Sequence, residues 1–290
     1  MEESLPSDRF FDSKAASARI RIRSWPAGPD LTGNRYVLLL HGLGDHVERH
    51  HWAAQLLTKG GIDVIGIDWP GNGKSSGRPG VVPPVETCCE LIDEAIAEIG
   101  HPPVGIFAHS TGGFLVLSWL KRRSLATDEI LPDWIWLSSP LLRPRHRQSP
   151  LKLWSARHLA KWFPKFTIGT GVSVDDCFAT LALPEETGAW RQNCHHRISL
   201  EFGASLLAEE PHIWDDVEVW AQSVEWLITQ GADDPVCPAR YASDWYSQLH
   251  SEKKTLLWIA DSRHEPYRDI RSIGVFSAIR AWIGSRFRLT

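Results

Sequence analysis

Short apolar segments alternate with longer amphipathic segments along most of the chain. The apolar segments are bounded by Gly, Pro, Asp or Ser, which is typical of buried strands. They cover residues 19–24, 36–40, 63–68, 104–108, 134–138, 224–230 and 256–260. The amphipathic segments have helical periodicity and cover residues 49–59, 85–99, 111–123, 238–249 and 269–287. Strands that alternate with helices in this way predict a mostly parallel sheet with helices on both faces.

The alternation stops between residues 141 and 218, where no clear strand is predicted and Trp, Arg and Pro are frequent. A long insertion between two strands of such a sheet is typically a lid or cap over the ligand site. We therefore predict an α/β core formed by residues 1–140 and 219–290, with a cap formed by residues 141–218.

Composition and charge narrow the class of protein. The 290 residues are 43% hydrophobic and 23% charged, which is enough apolar material for a large core. The formal net charge of -4 gives no indication of nucleic-acid binding. No apolar run is long enough to span a membrane, and the first residues lack the pattern of an export signal. An odd number of cysteines without an export signal predicts reduced thiols and a cytoplasmic protein. The five cysteines are Cys88, Cys89, Cys177, Cys194 and Cys237.

Two serines compete for the role of a catalytic nucleophile. Ser75 lies in the only strict match to G-x-S-x-G, but the Gly-Arg-Pro-Gly run that follows cannot begin a helix. Ser110 lies in the relaxed match Ala-His-Ser-Thr-Gly, after an apolar strand and before a buried helical pattern. That strand–turn–helix context lifts a serine hydroxyl above the edge of the sheet. We predict that Ser110 is the nucleophile and Ser75 a loop serine; a chance serine at a strand–helix junction is the alternative for Ser110.

Two backbone turns are candidates for an oxyanion hole, the pair of N–H groups that stabilises the charged oxygen during acyl transfer. The first turn begins at His41, directly after the strand at residues 36–40, and the second follows the nucleophile. The amides of Leu43 and Thr111 are therefore the expected donors. We expect His41 to brace its turn and His46 to be structural or pocket-lining.

An acidic residue and a histidine follow two later predicted strands, in the order Ser, Asp, His that this type of triad requires. Asp234 and His264 each lie just beyond the carboxyl end of a strand. Because ligands bind at that edge of an open parallel sheet, both side chains are expected near the nucleophile. We predict that His264 is the general base and that Asp234 orients its imidazole. Asp233 and Asp261 are alternatives for the acid.

Taken together, these motifs resemble the monoacylglycerol lipase and lysophospholipase branch of the α/β hydrolases. The matching segments are residues 41–46, 68–77, 108–113, 137–140, 231–234 and the segment around His264. The resemblance implies the α/β-hydrolase fold, with a mostly parallel central sheet flanked by helices and a helical cap inserted after the sixth strand. It implies that Ser110, Asp234 and His264 form the triad. It also implies that Leu43 and Thr111 supply the oxyanion hole.

Three positions depart from this branch. Ala108 replaces the usual Gly before the nucleophile, and Asn72 stands where a His is usual. Residues 192–199 of the cap read Gln-Asn-Cys-His-His-Arg-Ile-Ser, where relatives often show Asp-Pro near the start of the stretch. The first two departures leave the expected chemistry intact. The third lies in the cap, so the substrate does not follow from the resemblance alone.

The predicted cap is electrically polarised. Residues 141–174 carry seven basic and no acidic side chains, whereas residues 175–218 carry ten acidic and two basic ones. The basic side chains are Arg143, Arg145, Arg147, Lys152, Arg157, Lys161 and Lys165. Within the basic part, Trp, Phe and Leu recur at helical spacing, which is typical of a helix lying on an anionic membrane. This pattern favours peripheral membrane contact through residues 143–165. The alternatives are that the helix is a lid over an acyl-chain tunnel, or that it packs on the core with its basic face in solvent.

The leading functional hypothesis is a serine carboxylic ester hydrolase acting on monoacylglycerol or a similar single-chain lipid ester, with no cofactor. The paired histidines at 50–51 and 195–196 do not predict a metal site, because adjacent side chains point in different directions. A second hypothesis keeps the triad but assigns a small ester, thioester or amide as substrate. A third, from a different class, is a non-catalytic binding protein on the same fold. A haloalkane dehalogenase is disfavoured because the nucleophile position holds Ser and not Asp.

Overall fold

The computed structural model describes residues 5–28, 35–125, 130–145, 149–178, 193–266 and 273–287. The strands in this part of the chain are β1 (Ser7–Ser13), β2 (Ala18–Trp25), β3 (Tyr36–Leu40), β4 (Asp63–Ile67), β5 (Gly105–His109), β6 (Trp134–Ser138), β7 (Thr167–Gly169), β8 (Arg197–Ser199), β9 (Glu225–Gly231) and β10 (Lys254–Ile259). The helices are α1 (His51–Thr58), α2 (Val85–Ile99), α3 (Thr111–Ser124), α4 (Pro150–Trp162), α5 (Val174–Cys177), α6 (Leu200–Glu209), α7 (Val217–Trp220), α8 (Ala239–Gln248) and α9 (Ile273–Phe287).

Eight of these strands form one sheet in the order β1-β2-β4-β3-β5-β6-β9-β10. All neighbours from β4 to β10 are parallel, whereas β1 and β2 form an antiparallel edge. The predicted mostly parallel sheet is confirmed, and β6 is its sixth strand. The sequence pattern missed β1, because Ser7–Ser13 is an edge strand with mostly exposed, polar residues.

Helices cover both faces of the sheet, as predicted. In β3, Leu38 belongs to the buried cluster that includes residues of α2, α3 and α8, whereas its neighbour Leu39 belongs to the cluster that includes residues of α1 and α9. Alternation along a strand sends successive side chains to opposite faces, so a fully apolar strand requires a cover on each side. The first four residues of the predicted helix at 269–287 lie outside the described residues, and α9 accounts for the rest.

The chain leaves the large sheet after β6 and returns to it at β9. The intervening residues 141–218, called the insertion below, contain α4, α5 and α6 and the start of α7. They also contain a two-stranded antiparallel sheet of β7 and β8, contrary to the expectation of no strand there. Each of these strands has only three residues, which is too short for a periodic pattern to be visible. No helix in the described ranges is long and apolar enough to cross a membrane.

Candidate active site

Ser110 occupies a sharp turn between β5 and α3. Its backbone has φ 53° and ψ -119°, a conformation that L-residues rarely adopt and that costs about 1–3 kcal/mol. The turn is held because Ser110 N donates to Ser138 O at 3.0 Å and Ser110 O accepts from Leu141 N at 2.9 Å. Neighbouring glycines give it room: a Cβ on Gly112 would lie 2.7 Å from the backbone oxygen of His41. This geometry matches the strand–turn–helix context predicted for the nucleophile.

A continuous chain of hydrogen bonds joins the three residues predicted as a triad. His264 Nε2 lies 2.9 Å from Ser110 Oγ, and His264 Nδ1 lies 2.9 Å from Asp234 Oδ2. Asp234 and His264 are both buried. The competing carboxylates are placed differently, because Asp233 and Asp261 are exposed on the surface. The structure therefore brings together the three side chains that the sequence singled out.

Asp234 is oriented by donors on its other side. Its Oδ1 accepts from the backbone N–H groups of Val236 at 2.8 Å and Cys237 at 2.9 Å. Its Oδ2 accepts from Gln230 Nε2 at 3.0 Å in addition to the contact with His264. Every one of these partners is a donor, so the carboxylate of Asp234 is held in one orientation. Because Asp234 Oδ2 accepts from His264 Nδ1, the imidazole carries its proton on Nδ1 and leaves Nε2 free to accept one.

The electrostatic surroundings favour protonation of His264. Burial alone would lower the pKa of His264, but the neighbouring carboxylate of Asp234, with smaller contributions from Glu265 and Asp45, raises it above 6.5. The ring of His109 packs against that of His264 with centroids 4.8 Å apart. Burial depresses the pKa of His109 well below its usual range, so this neighbouring ring is neutral.

The loop that carries Leu43 passes directly beside the nucleophile. A Cβ on Gly42 would lie 3.1 Å from Ser110 Cβ, and Leu43, Ser110 and Thr111 line the same cavity. Thr111 is the first residue of α3, so its N–H has no acceptor within the helix. Both expected donors, Leu43 and Thr111, thus lie beside the nucleophile.

His41 braces this loop, as expected. Its Nε2 accepts from Trp69 N at 3.1 Å, so its proton is on Nδ1, which lies 2.7 Å from Gly42 O. Burial lowers the pKa of His41 to about 4, which keeps the ring neutral. His46 is also buried, with its ring 3.8 Å from the carboxylate of Glu48.

Ser75 lies in a loop, ten residues before the start of α2. Its hydroxyl donates to Asp68 O at 2.6 Å and accepts from Arg21 N at 2.9 Å. The first contact closes the loop after β4 on itself, and the second ties that loop to β2. The strict sequence motif around Ser75 therefore marks a structural turn in this fold.

Ser110, Thr111 and His264 lie on the wall of a cavity of about 710 Å³. Apolar side chains from both the core and the insertion supply much of the lining; they include Phe114, Leu141, Ile168, Ile198 and Leu207. One part of the wall is charged, however. Arg49 pairs with Asp45 at 3.1 Å and also with Glu265, and all three are buried and line the cavity.

Sequence patterns did not identify this charged wall. Glu265 was visible beside the predicted base, but nothing in the spacing indicated that Arg49 would reach it across the fold.

Among the described residues, no group of three or more His, Cys, Asp or Glu side chains could hold a metal ion. The five cysteines are free thiols.

Comparison with known proteins places the chain in a family. The family model described as serine aminopeptidase S33, a hydrolase family, matches residues 33–271. The chain belongs to this family. A monoacylglycerol lipase of known structure from Paleococcus ferrophilus superposes with a TM-score of 0.78 at 25% identity, over 92% of this chain and 98% of that one.

Two relatives are similar to the chain in sequence. A monoglyceride lipase of Rattus norvegicus is 23% identical over 268 residues, which are 89% of this chain and 85% of the lipase. An uncharacterized abhydrolase domain-containing protein of Dictyostelium discoideum is 25% identical over 273 residues. That match spans 92% of this chain but only 28% of the longer Dictyostelium protein. The α/β-hydrolase fold and the resemblance to the monoacylglycerol lipase branch are both confirmed.

Proposed function

We propose that this α/β hydrolase is a serine carboxylic ester hydrolase that uses Ser110, His264 and Asp234 as its catalytic triad. The observation that carries the proposal is the hydrogen-bonded chain from Ser110 Oγ through His264 to Asp234, with two distances of 2.9 Å. Ser110 and His264 line the cavity of about 710 Å³. This volume is large enough for a small lipid, because ligand pockets measure about 300–1,000 Å³.

The reaction follows from the positions of these groups. His264 Nε2 takes the proton of Ser110 Oγ as the oxygen attacks the acyl carbonyl. The N–H groups of Leu43 and Thr111 stabilise the negative charge that develops on the carbonyl oxygen. His264 then gives its proton to the departing alcohol, which leaves the acyl group on Ser110. Water, activated by the same imidazole, releases the acid and restores the enzyme.

The cavity supports a single-chain lipid ester as the substrate. Apolar side chains from α3 and from the insertion, such as Phe114, Ile168 and Leu207, suit an acyl chain. The charged wall of Asp45, Arg49 and Glu265 suits the hydroxyl groups of a polar alcohol such as glycerol. The insertion lines the cavity, so we propose that residues 141–218 act as its cap.

A second candidate is hydrolysis of an amide or a small ester, because the matching family model is described as an aminopeptidase. A substrate panel separates the two. We expect kcat/KM to be highest for monoacylglycerols, above lysophospholipids, short p-nitrophenyl esters and aminoacyl p-nitroanilides. Faster turnover of the p-nitroanilides would favour the amidase, and turnover of none of them would favour a binding protein.

We further propose that the outer face of α4 and the turn after it contact an anionic lipid surface. Trp154, Trp162 and Phe163 are 58%, 80% and 60% exposed, which is unusual for such large apolar side chains. Lys161 and Lys165 are exposed on the same segment. Arg147 lies outside the described residues, as do the side chains of Lys152 and Arg157.

Vesicle binding tests this contact. We expect tighter binding to vesicles of phosphatidylglycerol and phosphatidylcholine than to phosphatidylcholine alone, by about 1 kcal/mol for each basic residue near the surface. The double variant Lys161→Glu/Lys165→Glu should lose this preference. The control Lys14→Glu/Lys59→Glu, which changes two exposed lysines elsewhere by the same charge, should keep it. Equal binding to both vesicles by the unmodified protein would contradict an electrostatic role.

A further inference from the structure

Three successive peptide groups of the loop beside Ser110 are each held by a different partner. The carbonyl of Gly42 lies 2.7 Å from His41 Nδ1. The N–H of Gly44 donates to Asn72 Oδ1 at 3.1 Å, and the carbonyl of Gly44 accepts from His195 N at 2.9 Å. The residue enclosed by these three contacts is Leu43, whose N–H is the proposed oxyanion donor.

The geometry of the peptide bond links these contacts to that N–H. A trans peptide is planar, so its C=O and N–H point in opposite directions. The Gly42 carbonyl and the Leu43 N–H belong to one such plane, and the contact with His41 fixes it. The Gly44 N–H belongs to the next plane, which Asn72 fixes. With the planes on both sides of its Cα anchored, Leu43 has little freedom to rotate its N–H.

Asn72 is itself held in one orientation. It is buried, and its Nδ2 donates to Pro70 O at 3.0 Å, so its Oδ1 must face Gly44. Its backbone N–H donates to Trp69 O at 3.0 Å, and its carbonyl accepts from Ser75 N at 3.1 Å. A side chain with both of its polar atoms engaged in this way presents its oxygen without reorganisation when substrate binds.

The insertion closes the other side of the loop. Gly44 has φ +70°, and a Cβ there would overlap the carbonyl oxygen of His195. His195 is in turn fixed to the core, because its Nε2 accepts from Gly80 N at 3.1 Å. No side chain larger than glycine therefore fits between Asn72 and the insertion at this point.

We infer that Asn72 is a positioning residue that aims the Leu43 N–H at the developing oxyanion. It acts through the Gly44 peptide and does not touch the substrate. The inference rests on the proposed function, and it gives a role to a position where this chain departs from the relatives it resembles. The alternative is that Asn72 only closes the turn at residues 69–75 and contributes to stability alone.

Asn72→Ala tests the inference. Loss of one oxyanion donor lowers kcat by about 10²–10³-fold, so misdirecting one should lower kcat by about 10- to 100-fold, with KM within about threefold. Affinity for an alkyl trifluoromethyl ketone, which forms a tetrahedral oxyanion on Ser110, should fall by the same factor as kcat/KM. Affinity for an ether-linked alkylglycerol, which has no carbonyl to attack, should stay the same.

Two further variants separate positioning from stability. Ser75→Ala removes a hydroxyl with two hydrogen bonds from the same turn without contacting Gly44, so it should lower stability but leave kcat within twofold. Asn72→Asp still presents an oxygen to the Gly44 N–H but loses the donor to Pro70 O. It should therefore be less stable than the unmodified protein, and the folded variant should keep kcat within about threefold. Equal losses for ketone and ether in Asn72→Ala, an unchanged kcat there, or a loss above tenfold in folded Asn72→Asp would overturn the inference. Turnover retained by Ser110→Ala would instead refute the proposed function, independently of Asn72.

Discussion

Replacing Asp234 with Asn tests how the carboxylate supports His264. The substitution keeps the shape of the side chain and changes one oxygen into an NH2 group. Oδ1 would still accept from the N–H groups of Val236 and Cys237. At the other position, the new NH2 would face Gln230 Nε2 and the protonated Nδ1 of His264, which are both donors.

The consequence for His264 is a change of tautomer. To accept from the new NH2, Nδ1 must lose its proton, and Nε2 then carries the proton that faces Ser110. An imidazole in that state cannot act as a base toward the serine. The same substitution in a triad lowers kcat by about 10⁴-fold, which corresponds to about 5.5 kcal/mol of transition-state stabilisation. The mismatch with Gln230 should lower the free energy of unfolding by about 1–3 kcal/mol.

The assay is hydrolysis of a p-nitrophenyl ester, followed from pH 5 to 9, with folding checked by circular dichroism. The matched control is Asp233→Asn at the adjacent exposed position, which should keep kcat within about twofold. A loss of less than tenfold in Asp234→Asn would refute the reasoning about the tautomer. A larger loss in Asp233→Asn than in Asp234→Asn would assign the acid to the other carboxylate.

Three more predictions follow from single features. Gly112→Ala puts a methyl group 2.7 Å from the backbone oxygen of His41, so it should displace the start of α3 and destabilise the fold by about 1–3 kcal/mol. A displacement near 1 Å should also lower kcat about 100-fold. The control Gly274→Ala, where the added methyl group meets open space, should lower neither stability nor kcat. Arg21→Met leaves the buried carboxylate of Asp68 without its ion pair and should lower the free energy of unfolding in urea by about 3–5 kcal/mol, and a loss below 1 kcal/mol would contradict this. The Asp234 carboxylate raises the pKa of His264 above its ordinary value, so the base form is lost as the pH falls through that raised pKa. kcat/KM should therefore decline on the acid side with a midpoint above the ordinary imidazole value of about 6.5, and a midpoint below that value would contradict the assigned surroundings.

The strands of the core could be predicted because their signals are local, and the three residues of the proposed triad could be singled out from their order along the chain. Apolar runs such as Tyr36–Leu40 are buried on both faces and need no knowledge of their partners. The order of Ser110, Asp234 and His264 was informative because parallel strands bring their carboxyl ends to one edge. The order of the strands was therefore enough to predict that these three side chains lie close together.

Other features depend on contacts between loops that are distant along the chain. Arg49 and Glu265 are 216 positions apart, and no periodicity connects them. Asn72 was noticed only as a departure from relatives, since its contact with Gly44 requires two loops to meet. The edge strand Ser7–Ser13 was not predicted because its exposed polar residues give no hydrophobic pattern. Its backbone nevertheless forms hydrogen bonds with β2.

Covalent labelling by a fluorophosphonate, combined with ester turnover, tests the identity of the nucleophile most directly. Ser110→Ala should fold, take up no label and lose turnover, because it removes the hydroxyl that lies 2.9 Å from His264 Nε2. Ser75→Ala should label and turn over as the unmodified protein does. Labelling and turnover that persist in Ser110→Ala and disappear in Ser75→Ala would contradict the account at its centre.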